Sequence, residues 1–346
     1  MPDLPLELLI LLPLALAAGL DLYLTLLVLG VAPMTPWWDP PLPGALSDLD
    51  GPAIVIVLGI LYLAELAAER FEASALAWNA THAWIRPLSG ALLGVLLLHG
   101  QSPALVLLGA AASGAVASLA HAVRSGAGVI RRLDPSPVPD MVLFSLLEDA
   151  VVLGLVAAAL DAPLVAVAAS AMVVLAGVPR SRSRIRAFLF VTRLAMARLF
   201  RPLEQRSWID GERLPAWVRA ELTADVMAPG GGLRGSPAAV LRGPGLPLFA
   251  TGWIVIRGDS PVFVHGRYLG GARAAELGGL EALAVVEHAF FRALDLRERR
   301  GRPVRIFFFV DGPSPEGLAA EFLVSQPPVR PSDRPTRLAG TAEKNL

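Results

Sequence analysis

The chain has no cysteine, one lysine (Lys344) and few charges: Asp, Glu, Lys and Arg make up 17% of 346 residues. A soluble domain carries about 25% charged residues. Lack of cysteine excludes a disulfide scaffold and a cysteine-ligated metal site. Scarcity of charge, with 54% hydrophobic residues and a mean hydropathy of +0.57, excludes a disordered chain and an ordinary soluble enzyme. No P-loop occurs, nor a G-x-S-x-G elbow. Gly230 to Gly235 formally fits G-x-G-x-x-G, but it lies between Pro229 and Ser236-Pro237. With no strand before it and no helix after it, it reads as a loop.

What is present is apolar sequence, unevenly distributed. Residues 1–179 carry five Arg against fourteen Asp and Glu, a net −9, and the remainder carries +9. Crossing a ~30 Å hydrocarbon core takes about 20 apolar residues. Six candidates occur, near Leu4–Val31, Ala53–Ala68, Leu88–His99, Pro103–Val123, Met141–Leu160 and Ala162–Val178. The first has no basic n-region and exceeds a signal-peptide core in length, so it is read as a retained span. Arginine falls on alternate connections: Arg70 and Arg86, then Arg124, Arg131 and Arg132, then Arg180, Arg182, Arg184 and Arg186. Arginine-bearing loops stay on the cytoplasmic side. The expectation is an all-α membrane bundle over 1–179, with six spans and both termini cytoplasmic. Trp37 and Trp38 are then expected at the outer interface. Arginine-rich, lysine-poor usage points to a bacterial high-GC genome and hence a cell inner membrane.

Ionisable groups at membrane depth are costly and mark functional candidates. Asp21 interrupts the first span. Glu65 and Glu69 share one face of the second. His121 and Arg124 end the fourth, and Glu148 and Asp149 sit two turns into the fifth. Either these seven line an ion, proton or anion pathway, or they form interhelical ion pairs and snorkel from helix ends. Neighbours Glu148 and Asp149 point about 100° apart on a helix, so they cannot both face one partner. Ala110, Gly114, Ser118 and Ala122, like Gly90 and Gly94, form small-residue stripes that permit close helix approach. Asn79-Ala80-Thr81 matches a glycosylation pattern but falls on the cytoplasmic side.

Several short motifs resemble one known family. They are Ala18-Gly19-Leu20 with Tyr23-Leu24, Glu65-Leu66-Ala67, and Arg86-Pro87-Leu88 with Gly90-Ala91. They continue with Ala120-His121, Arg124-Ser125-Gly126 and Leu147-Glu148-Asp149. Their order is similar to the integral-membrane family called domain of unknown function 4126, found in bacteria and plants, over about residues 8–178. The resemblance implies a multi-helix membrane protein. It implies no activity and no catalytic residues.

Beyond Pro179 the pattern changes. Residues 180–202 read as a basic amphipathic helix lying on anionic inner-leaflet lipid, with Arg182, Arg186, Arg193 and Arg198 beside its apolar stripe. Residues 203–325 read as a small cytosolic α+β domain. Strands are expected at Ala238–Leu241, Phe249–Arg257, Pro261–Gly266 and Arg302–Val310, an amphipathic helix at Gly279–Arg297, and a final helix from Pro315. Residues 326–346, rich in Pro, Arg and Ser, are expected to be disordered. The single histidines His82, His265 and His288 lack partners at metal spacing, so no metal and no cofactor is expected. Arg297, Arg299, Arg300 and Arg302 lack interleaved aromatics, which argues against nucleic acid. Three functions follow. One is a transporter or channel for an ion or small solute, regulated by the cytosolic domain. The second is a membrane-anchored scaffold whose α+β domain binds a partner protein or ligand. The third is an intramembrane lipid-modifying enzyme, for which the needed nucleophile, base or paired carboxylates are not evident.

Overall fold

A computed structural model describes residues 6–38, 40, 42, 44–133, 141–200, 208–223, 233–243, 245–257, 260–266, 271–277, 280–287, 291–298, 304–309 and 313. The final helix expected from Pro315, the tail 326–346, His288 and Gly230 to Gly232 lie outside these residues. The chain forms two compact units. The first is Met1–Glu204 with Ala239–Thr251 and His288–Phe291; the second is Gln205–Ala238, Gly252–Glu287 and Arg292–Leu346.

The first unit is helical: α1 (Leu6–Leu20), α2 (Leu22–Val31), α3 (Pro52–Glu69), α4 (Glu72–Leu97), α5 (Pro103–Leu133), α6 (Met141–Asp161), α7 (Pro163–Arg180) and α8 (Arg182–Phe200). Among the described residues α3 and α5 are long and apolar enough to cross a membrane. A third span exists if Pro163–Gly177 and Arg182–Ala197, bent by 81°, form one broken segment. Large apolar side chains face outward on these helices, among them Ile56, Ile60, Leu88, Leu107, Leu146 and Leu175. Burial inside is shared between apolar residues such as Ile10, Leu14, Leu93 and Val156 and a set of charged ones.

Three expectations about this unit are corrected. The first apolar run is two helices, because Asp21 adopts an extended backbone (φ −142°, ψ 107°) and caps α2. Asp is a poor helix-interior residue and a strong N-cap, so the local preference wins over the apolar pattern. The third apolar run belongs to a helix that starts at Glu72, not Leu88, which moves Arg86 from a loop into the middle of α4. The fourth runs to Leu133, so Arg124, Arg131 and Arg132 are helical as well.

The small-residue stripes permit a close contact between helices. A Cβ on Gly90 would stand 2.6 Å from the Ala117 Cβ and 2.8 Å from the Ser113 carbonyl; on Gly114 it would stand 2.9 Å from the Pro87 carbonyl. Helices α4 and α5 thus touch backbone to backbone, as small-xxx-small faces allow. Helix α8 buries Phe188, Val191, Leu194 and Ala195, and the Gly126 backbone meets that of Arg184. An amphipathic helix lying on lipid keeps its apolar stripe open; much of the stripe on α8 is covered by protein instead.

The second unit centres on a sheet of strands β1 (Ile209–Asp210), β2 (Arg234–Val240), β3 (Ala250–Arg257), β4 (Ser260–Gly266), β5 (Ala272–Glu276), β6 (Leu280–Glu287), β7 (Phe291–Glu298) and β8 (Val304–Phe309). Their order is β5-β4-β3-β2-β8-β7-β6, with β1 on β2. The expected hairpin is β3–β4, antiparallel from Gly252↔His265 to Arg257↔Ser260. A short helix, α9 (Ala216–Thr223), packs Val218 and Leu222 on Val255, Val262 and Val264. The helix expected at Gly279–Arg297 is instead the antiparallel pair β6–β7, with a bulge between Ala282 and Ala284. Its apolar residues fit periods of both 3.6 and 2. Val285, Val286 and Phe291 favour the strand, and pairing in a sheet decides. Across β7 and β8, Arg305 grips both carboxylate oxygens of Asp295, at 2.6 and 2.7 Å.

Candidate functional site

The helix break at Asp21 starts the site. In a continuous helix the Leu24 N–H would donate to the Leu20 carbonyl. Here it donates to Asp21 Oδ1 at 2.9 Å, while Thr25 Oγ1 donates to the Asp21 carbonyl at 2.6 Å. The last carbonyls of α1 are left open, at the negative end of that helix's dipole. Arg86 of α4 fills this end. Its Nη1 lies 2.5 Å from the Leu20 carbonyl, 2.8 Å from Gly19 and 3.5 Å from Ala18. Its Nη2 donates to Glu65 Oε1 of α3 in a short ion pair. Both side chains are almost wholly buried, Arg86 at 0% and Glu65 at 1% exposed.

Arg124 of α5 extends the network. Its guanidinium reaches three carboxylates: Glu65 at 3.2 Å, Glu69 at 3.0 Å and Glu148 of α6 at 2.9 Å. Arg131 stands 4.0 Å from Glu148, and Arg132 donates to the Glu69 carbonyl at 3.0 Å. A polar recess lined by Glu69, Asn79, Arg124, Arg131, Arg132 and Glu148, among others, adjoins this end. It has room for a few waters or a small ion.

Beside the ion pairs lies a neutral limb. Ser125 Oγ donates to Asn79 Oδ1 at 2.8 Å, Asn79 Nδ2 donates to the Ala75 carbonyl at 2.8 Å, and His121 Nε2 lies 3.2 Å from the Asn79 carbonyl. Phe188 of α8 closes over the His121 ring edge-on at 5.3 Å. Burial of Asn79 within α4 leaves no room for a glycan there.

Of the seven predicted pathway residues, Glu65, Glu69, Arg124 and Glu148 meet directly. Asp21 joins them through the α1 carbonyls that its break opens. Asp149 points elsewhere and accepts a hydrogen bond from Tyr62 at 2.9 Å. His121 belongs to the neutral limb. Arg182 and Arg193 are exposed. Arg186 donates to the carbonyls of Leu248 and Phe249, at 2.9 and 3.1 Å, within the first unit. The side chain of Arg198 lies outside the described residues. His82 is buried, 3.1 Å from the Tyr23 hydroxyl and stacked on Trp78. Among the described residues no group of three His, Asp or Glu is arranged to hold a metal.

Sequence reasoning missed Arg86 as the centre of the network, together with Asn79, Ser125 and Tyr62. A signal for Arg86 existed. Counting back in fours from Gly94 and Gly90 along α4 lands on Arg86, His82 and Trp78, so the arginine continues the stripe that packs inward.

A comparison with curated proteins finds no match to the chain. The family model described as Domain of unknown function (DUF4126) matches residues 8–182, a range that contains every member of the charged network. The chain belongs to the DUF4126 family.

Proposed function

We propose that the first unit is a membrane bundle that moves an ion or small solute, with the Glu65–Arg86–Arg124–Glu148 network as its internal gate. The observation that carries this reading is a buried charge network that joins a broken helix to a recess. A helix broken at depth, with its open end turned to charged side chains, is a device of transporters. Buried charge in a bundle clad in leucine and isoleucine is expensive to keep as mere glue.

In this reading the spans number six, with α1 and α2 counted as one broken span. Arg70, Arg131, Arg132, Arg182 and Arg184 then share one face of the membrane, which makes that face cytoplasmic and both termini internal. The membrane is a bacterial inner membrane. Exposed Arg182 and Arg193 meet its anionic lipid headgroups, and the sheet-bearing unit regulates the bundle. The second reading is a membrane-anchored scaffold whose sheet unit binds a partner protein. It is favoured by one observation: Glu65, Glu69 and Glu148 each already face an arginine.

The test is flux. The purified chain is reconstituted into liposomes holding a pH-sensitive dye, under imposed Na⁺, K⁺ or Cl⁻ gradients. Gradient-dependent signal above empty liposomes, lost in Glu65→Gln, is expected. Signal no greater than that of empty vesicles under every gradient refutes transport of these ions and favours the anchor.

A further inference from the structure

The open end of α1 holds more oxygen than one side chain needs. Arg86 meets the carbonyls of Ala18, Gly19 and Leu20 and the Glu65 carboxylate. Glu65 Oε2, though buried, has no hydrogen-bond partner among the described residues, and neither has Arg86 Nε. The carbonyl end is held firmly: a Cβ on Gly19 would stand 2.5 Å from the Ala117 carbonyl and 2.6 Å from the Ala120 Cβ. The backbone of α1 therefore lies directly against α5, and its carbonyls are fixed before any cation arrives. Fixed carbonyl dipoles at a helix C-terminus and a buried carboxylate together favour a positive charge.

We infer that the open end of α1 and Glu65 form a binding site for a monovalent cation of the guanidinium type, which the side chain of Arg86 fills as a tethered occupant. A free cation takes the same place when the tether is cut. This rests on the helix break and its oxygens, independently of whether the bundle transports anything.

The experiment uses the full chain in detergent, with Arg86→Ala and thermal unfolding as the readout. Guanidinium chloride, sodium chloride, choline chloride and urea are added at equal concentration, at levels too low to denature. A cation that binds only the folded form shifts the equilibrium by the factor 1 + [L]/Kd. With Kd of about 5 mM, ~50 mM guanidinium raises the folded-to-unfolded ratio about elevenfold. The expected result is stabilisation of Arg86→Ala by guanidinium beyond choline chloride and urea, with no such gain in the parent chain. A gain with sodium as well supports the site and widens it to alkali ions. No gain over choline chloride with either cation overturns it. If Arg86→Ala does not accumulate in membranes, Arg86→Lys and Arg86→Met decide. Recovery of the lysine variant with loss of the methionine variant supports a cation site, and equal recovery of the two refutes it.

Discussion

Replacing Arg124 with methionine removes one cation from among three carboxylates while keeping most of the side-chain volume. Breaking a buried ion pair from one side costs about 3–5 kcal/mol, because a charge is left behind without compensation. Three such losses do not add here. Glu65 keeps Arg86. Glu69 and Glu148 are 19% and 21% exposed, so water can reach them and their pairs carry less. The lower bound, about 3 kcal/mol, is therefore the better figure. For a unit of roughly 200 residues this lowers Tm by about 6–12 °C. The assay is thermal unfolding of the detergent-purified chain. A second variant tests the cause: Arg124→Met with Glu69→Gln and Glu148→Gln has no stranded carboxylate outside the Glu65–Arg86 pair. Apolar or neutral replacement of a whole buried ion cluster is often close to neutral, so this triple variant is expected to recover most of the loss. The reasoning is refuted if Arg124→Met unfolds at the parent temperature, or if the triple variant falls further instead of recovering.

Packing and topology give two more tests. Gly90→Ala puts a Cβ 2.6 Å from that of Ala117, whereas Gly59 and Gly154 have open space. Overpacking at Gly90 is expected to cost about 1–3 kcal/mol, while Gly59→Ala and Gly154→Ala leave Tm unchanged or raise it; equal effects at all three would remove the close α4–α5 contact as an explanation. The natural absence of cysteine allows single-cysteine labelling without any background substitutions. In intact cells Trp37→Cys, at the exposed end before α3, is expected to react with an impermeant maleimide, and Phe71→Cys, beside Arg70, only after permeabilisation. Reaction of both in intact cells refutes the six-span topology.

How far the sequence could be read depended on which rule was used. Apolar length located α3 and α6 to within a residue or two, and small-residue spacing identified the face on which α4 meets α5. The same hydropathy reading failed at Arg86 and Arg124. It assigns charge to loops, and these arginines sit inside helices because carboxylates on neighbouring helices neutralise them. No window along one helix contains that information. Glu65, 21 residues away on α3, is what makes Arg86 tolerable inside α4. Asp21 was legible as an oddity in an apolar run. Its consequence was not, since the opened carbonyls matter only once a donor from α4 arrives. Residues 280–298 failed for another reason. Leu280, Ala284, Leu294 and Leu296 suit either period, and only the partner strand resolves the choice.

The charged network also bears on how variants of this family should be interpreted. Arg86 closes α1, neutralises Glu65 and fixes α4 with one guanidinium, so deleting it removes a structural cap and a functional charge together. Loss of activity in Arg86→Ala would therefore say little about transport. Substitutions that keep the cap and change only the charge balance separate the two. Glu65→Gln does this: its amide oxygen can still accept from Arg86, and the three carbonyls of α1 continue to hold the guanidinium, while the negative charge is gone. Losing the charge opposite buried Arg86 costs stability, about 3 kcal/mol, so the two roles are separated below the variant's own Tm: if ion flux depends on that charge, folded Glu65→Gln should show no flux. If Glu65 is only a fastener for α3, stability should fall while flux of the folded protein stays at the parent level.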